Sequence, residues 1–136
     1  MVMIKYFLDT TELLKAFNGS DKYAVRLMDD SSKKKYSNEY AIKEYRRILR
    51  YHFQYPDDDI ERAVEYIINR CTILPSPPSN RFKKLKIQDK SDKPIVQGAL
   101  DSKCILVTSD NRTYRDSKAY VESVTAEEIY RKSRKR

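Results

Sequence analysis

The sequence predicts an α/β fold with a mostly parallel sheet. Short β-prone runs alternate with longer segments whose apolar residues recur at 3-4 spacing, and that alternation builds parallel sheets. Two runs, residues 3–8 and 104–107, are apolar at nearly every position, as in strands covered on both faces. The chain has 136 residues, the size of one ordinary domain, and its 40 % of hydrophobic residues suffices for a core without disulfide or metal staples. No repeat or boundary interrupts it. Residues 1–130 read as a single domain and residues 131–136 as a basic tail.

The elements follow in order. Residues 3–8 form a central strand that stops at Asp9-Thr10-Thr11, and a short amphipathic helix covers about Glu12 to Phe17. Asn18-Gly19-Ser20-Asp21 is a turn signal. Lys22 to Asp29 fits a second helix, and Lys34 to Tyr36 a short edge strand. Ser37 is placed to cap a helix over about 38–53, whose stripe is Ala41, Ile42, Tyr45, Ile48, Leu49 and His52. Glu44 lies about 60° from Ala41 and about 40° from Ile48, where a carboxylate at the stripe edge can lean into a cleft. The next helix opens at Pro56-Asp57-Asp58-Asp59, with Asp58 and Glu61 in reach of an acidic capping pair. Its core face is Ile60, Ala63, Val64, Ile67 and Ile68. Cys71 to Leu74 is a short strand and Pro75 to Lys90 the one long loop. Asp92 starts a helix with Ile95, Val96, Ala99 and Leu100 inward. Cys104 to Val107 and Tyr120 to Val124 are strands, and Thr125 with Glu128 makes a capping box for a last helix that runs into the tail.

Charge narrows the partners. Lys+Arg is 28 and Asp+Glu 20, a net charge of +8, and five of those positives sit in the last six residues. Lys33-Lys34-Lys35 and Arg81/Lys83/Lys84/Lys86 read as solvated loops, yet three basic clusters in one small domain favour a polyanion such as nucleic acid. The apolar start is too short for a signal core or a membrane helix, so no membrane association and a cytoplasmic location are expected. Cys71 and Cys104 read as reduced, buried residues. With no CxxC pair and His52 the only histidine, the composition points away from a zinc site.

Chemistry points to the strand ends. Leu8-Asp9 and Val107-Thr108-Ser109-Asp110 each bring an aspartate to a strand's carboxyl end, where parallel sheets bind ligands. Two carboxylates on one rim repel each other unless a cation lies between them. Asp92 at a helix start and Glu44 on the third helix can reach the same rim. Four carboxylates without histidine or thiolate make an all-oxygen site suited to Mg²⁺ or Mn²⁺, and such sites hydrolyse phosphodiesters.

These segments, Ile4 to Thr10, Ile42 to Leu49, Asp92 to Leu100 and Cys104 to Asp110, resemble in order the four motifs of the PIN-domain nucleases, over essentially residues 3–130. The likeness is nearest to short prokaryotic members, including the toxin ribonucleases of toxin–antitoxin pairs. The resemblance implies a three-layer α/β/α fold with a five-stranded sheet and a Mg²⁺- or Mn²⁺-dependent endoribonuclease acting on single-stranded or structured RNA. It makes Asp9, Glu44, Asp92 and Asp110 the catalytic, metal-binding acids, with Thr10, Thr108 and Asp89 orienting them. Asp89 is also the alternative third acid, and Glu39 competes with Glu44. The implied partners are RNA, a small protein antitoxin and a second copy of the chain. Thr11 stands where the family usually has Asn and Ser109 where Gly is frequent. The alternative is a PIN-like module that binds nucleic acid without cutting it.

Overall fold

A computed structural model describes residues 3–134. The sheet begins with β1 (Lys5–Leu8), which passes directly into α1 (Thr10–Asn18). Gly19 ends that helix at φ 73°, a left-handed conformation that glycine adopts without steric cost. Then come α2 (Lys22–Asp29), β2 (Lys34–Asn38), α3 (Glu39–Tyr51), α4 (Asp57–Ile68) and β3 (Thr72–Leu74). The second half contains α5 (Ser79–Phe82), a 3-10 turn (Lys90–Asp92), α6 (Lys93–Ser102), β4 (Ile105–Val107), α7 (Asn111–Ser117), β5 (Ser123–Val124) and α8 (Ala126–Arg134).

All four strand pairings are parallel and the order is β3-β2-β1-β4-β5. The chain steps outward from β1 to β3, returns across the sheet to β4, and steps outward again to β5. With right-handed crossovers, this reversal puts the connections of the two halves on opposite faces. The result is the three-layer α/β/α architecture with a five-stranded sheet. Phe7, Leu8, Leu106 and Val107 of the two central strands are buried, between Leu13, Leu27, Tyr45 and Ile60 of the first half and Ile95 and Val96 of α6. Among the described residues no helix is long and apolar enough to cross a membrane.

Several elements depart from the sequence reading. Lys34 to Tyr36 belongs to an inner strand, since β2 lies between β1 and β3. Lys35 explains how so basic a strand can be covered. Its side chain is buried, and its ammonium donates to the carbonyls of Leu27 (3.0 Å), Met28 (2.6 Å) and Asp30 (3.0 Å) at the end of α2. It therefore caps a helix C-terminus, where a cation is favoured. The second basic cluster is partly committed too, because Arg81 is paired with Asp101.

The cap of α3 is Asn38 rather than Ser37. Asn38 Oδ1 accepts from Ala41 N at 2.9 Å, while Ser37 Oγ donates to Leu8 O at 3.0 Å. Asp58 and Glu61 make no cap for α4; Glu61 pairs instead with Arg46 and Asp57 with Arg50, tying α4 to α3. Ile68 and Leu100 are exposed at the margins of their helices. Cys71 and Cys104 are buried free thiols, as expected, and Thr125 and Glu128 form the reciprocal capping box. The backbone of the basic tail is helical as far as Arg134, and Lys135 and Arg136 lie outside the described residues.

One glycine sets a packing distance. A Cβ at Gly98 would stand 2.8 Å from both Asn38 Nδ2 and the Phe7 ring, so α6 lies against β1 and β2 more closely than any other residue there would permit. The same Asn38 amide donates to Pro94 O at 3.2 Å.

Replacing Lys35 with Met keeps the buried stem and removes three charge-assisted bonds. We expect a loss of about 2–3 kcal/mol, read as a lower urea midpoint at unchanged m-value; an unchanged midpoint would show that the cap is energetically idle.

Candidate active site

Asp9 ends β1 and begins α1. Its Oδ1 accepts from Glu12 N at 3.0 Å and from Thr11 Oγ1 at 2.7 Å, and its N–H donates to Val107 O of β4. A short polar side chain at a helix start satisfies N–H groups that have no partner inside the helix. Asp110 repeats this after β4: its Oδ1 accepts from Arg112 N (2.9 Å) and Thr113 N (3.1 Å), and its own N–H donates to Thr108 Oγ1 (3.1 Å). Because β1 and β4 are adjacent and in register, both aspartates reach the same rim.

Glu44 and Asp92 come to this rim from helices. Thr10 Oγ1 donates to Glu44 Oε1 at 2.7 Å, and Thr113 Oγ1 donates to Asp92 Oδ2 at 2.8 Å. Asp9, Glu44, Asp92 and Asp110 thus line one cavity of about 150 Å³, together with Thr10, Thr11 and Thr113. Asp89 lines it too, but is exposed and bonded to Ser91 N and Oγ, so Asp92 is the better enclosed of the two. Glu39 is exposed on the first turn of α3 and is not among the lining residues.

The electrostatics are those of carboxylates crowded under partial burial. Burial raises the Asp9 carboxyl above its ordinary value; hydrogen bonds from Thr108, Thr11 and the Glu12 N–H oppose this, and the Asp110 charge adds to it. Glu44 is raised by burial and by the charges of Asp9 and Asp89, against the Thr10 hydrogen bond. Asp92 is pushed up to about 6 by burial and by Asp89, Asp9 and Asp110. A divalent cation would reverse all of these.

The two departures from the resemblance are accommodated. Thr11 supplies a hydroxyl bond to Asp9 where an amide is usual. Ser109 needs no left-handed backbone, since the described non-glycine residues with positive φ are Gln54 and Lys103, and its hydroxyl accepts from Lys15 Nζ at 2.8 Å.

Thr113 and Glu12 are the residues that sequence reasoning missed. Thr113 joins Asp110 and Asp92 through its N–H and its hydroxyl, and the only signal for it is its place three residues after a capping aspartate. Glu12 is fully buried behind Asp9, and neither carboxyl oxygen receives a hydrogen bond. Burial, followed by the Asp9 charge, pushes it up to about 7.

Among the described residues no three acidic, imidazole or thiol groups stand close enough to form a ready metal cage. The donor set still fits Mg²⁺ or Mn²⁺: it is all oxygen, and Mg²⁺ is commonly held by one or two carboxylates with waters and substrate phosphates completing its shell.

The architecture is shared by solved structures. VapBC2 from Rickettsia felis, solved bound to a DNA fragment from its promoter, matches with a TM-score of 0.72 and 12 % identity, over 90 % of this chain and 98 % of that one. PAE2754 from Pyrobaculum aerophilum matches at 0.70 and 16 %, over 98 % and 97 % of the two chains. The chain has the PIN-type fold. A PilT N-terminus domain protein from Sulfolobus solfataricus, SSO1118, matches the same PIN-type architecture at 0.62 and 11 %, over 98 % and 96 %. No protein-family model matches the sequence, and no curated protein does. At these identities the likeness establishes the fold.

The buried acids make stability depend on pH. Glu12 and Asp92 hold protons in the folded state that the unfolded chain would release, so stability falls as pH rises from about 4 to above about 7. Without divalent cations, the melting temperature should drop by several degrees between pH 5.5 and 8. Glu12→Gln should raise it at pH 8 by about 3 °C or more and change it little at pH 5.5. A variant that tracks the parent at both pH values would show that Glu12 carries no such strain.

Proposed function

We propose that this protein is a Mg²⁺- or Mn²⁺-dependent endoribonuclease that hydrolyses phosphodiester bonds of single-stranded or structured RNA. The observation that carries this reading is the convergence of four carboxylates from separate elements on one cavity at the carboxyl ends of parallel strands. Asp9, Glu44, Asp92 and Asp110 would hold the cation. When bound, it supplies positive charge that polarises the scissile phosphate and makes a bound water more acidic.

The chain's own residues prepare that chemistry. Thr10, Thr11 and Thr113 fix the rotamers of Glu44, Asp9 and Asp92, so the acids need little reorganisation. Thr108 bonds the backbone of Asp110 and also restrains Asp9. RNA as substrate rests on the motif resemblance. So does a role as the toxin of a toxin–antitoxin pair, and the structural likeness to VapBC2 supports a small protein antitoxin as partner. The resemblance and the net charge of +8 suit a protein that meets RNA in the cytoplasm.

The test is cleavage of end-labelled single-stranded RNA with Mg²⁺, Mn²⁺ or EDTA. We expect metal-dependent cutting that EDTA abolishes and that Asp9→Asn reduces at least about a hundredfold, with the fold retained because the amide oxygen can still cap α1. Absence of cutting with any metal, with RNA binding intact, would overturn the nuclease reading in favour of the non-catalytic module.

A further inference from the structure

A second, larger cavity of about 500 Å³ adjoins the carboxylate cavity. Asp89, Asp92 and Asp110 form the shared wall; Asn111, Arg112 and Arg115 of α7 form the far side. The two arginines are three residues apart and so lie on one helical face. Several other arginines are already committed to carboxylates: Arg46 to Glu61, Arg50 to Asp57, Arg70 to Asp29 and Arg81 to Asp101. Among the described residues Arg112 makes no close ion pair, although its charge acts on Asp89 in the shared wall, and Arg115 pairs only loosely with its chain neighbour Asp116, at 3.9 Å.

The N-terminus of α7 is not the attraction here. The N–H groups of Arg112 and Thr113 are taken by the Asp110 side chain, as described above. The positive charge the second cavity offers an anion is guanidinium, with the Asn111 amide beside it, and guanidinium matches phosphate oxygens in a two-point fork. A polyanion entering an acidic cavity is repelled by the same carboxylates that hold a cation. Positive groups beside the acids offset this for the parts of the strand that do not react.

The geometry points to a second phosphate subsite, in which Arg112 and Arg115 hold a backbone phosphate flanking the one over the carboxylates. The inference rests on the nuclease reading for the nature of the ligand. It makes the arginines positioning residues, and the strand leaves the acidic cavity along α7.

The test uses the Asp9→Asn protein and a fluorescein-labelled single-stranded RNA decamer, with affinity measured by anisotropy over a range of salt. Arg112→Gln with Arg115→Gln should weaken binding tenfold or more and make the slope of log affinity against log salt shallower by about 0.7 for each phosphate that is no longer neutralised. Lys33→Gln with Lys34→Gln removes equal charge near the amino ends of the strands and should weaken binding less than threefold. Unchanged affinity and slope in the arginine variant would overturn the subsite; so would equal losses in the two variants, which mean long-range charge alone. A circular dichroism melt of each variant verifies the fold. In the Asp9-containing protein, the arginine variant should raise KM and leave kcat nearly unchanged. If that protein cuts nothing while arginine-dependent binding persists, the nuclease reading fails and the subsite stands.

Discussion

Everything at the functional end of this molecule follows from burying a carboxylate at the tip of the central strand. Asp9 is enclosed, and an enclosed charge must be compensated. The helix that starts directly after β1 supplies an N–H, Thr11 supplies a hydroxyl, and Thr108, just past β4, supplies another. Strand end, helix start and polar cavity are thereby one structural unit. Asp110 repeats the solution with α7, so the sheet presents two such units side by side.

Four acids together set a harder problem than one. Each added charge raises the protonation of the others, and the protein answers with threonine hydroxyls. Hydroxyls orient a carboxylate without neutralising it. Glu12, behind Asp9, gets the least of that help: the Ser109 hydroxyl and the Lys15 charge only partly offset its burial. The rim therefore keeps more negative charge than its hydroxyls offset.

Much of this is legible in the sequence. The β1 and β4 runs announce themselves because covered parallel strands are apolar throughout, and the acid that ends each run stands out against them. Glu44 is legible as a carboxylate at the margin of a helical stripe. β2 reads as an edge strand because three lysines in a row are normally solvated; nothing local shows that Lys35 will end on the carbonyls of α2. The α7 segment Asn-Arg-Thr-Tyr-Arg-Asp-Ser has too weak an apolar period to declare a helix, which hides Thr113 and the two arginines of that helix. Ser37 and Asn38 are both good caps, and only the strand's length decides between them.

Asn38 has a consequence for the acidic rim. Its side-chain oxygen holds the start of α3 and its side-chain nitrogen holds Pro94 at the start of α6, with Gly98 allowing the close fit. Glu44 rides on the first of these helices, and Asp92 sits at the head of the second. The two acids that do not belong to strands are thus coupled through one amide anchored in β2. A change at that amide therefore reaches the helix starts behind Glu44 and Asp92 together, whereas Asp9 and Asp110 follow directly from the paired strands β1 and β4.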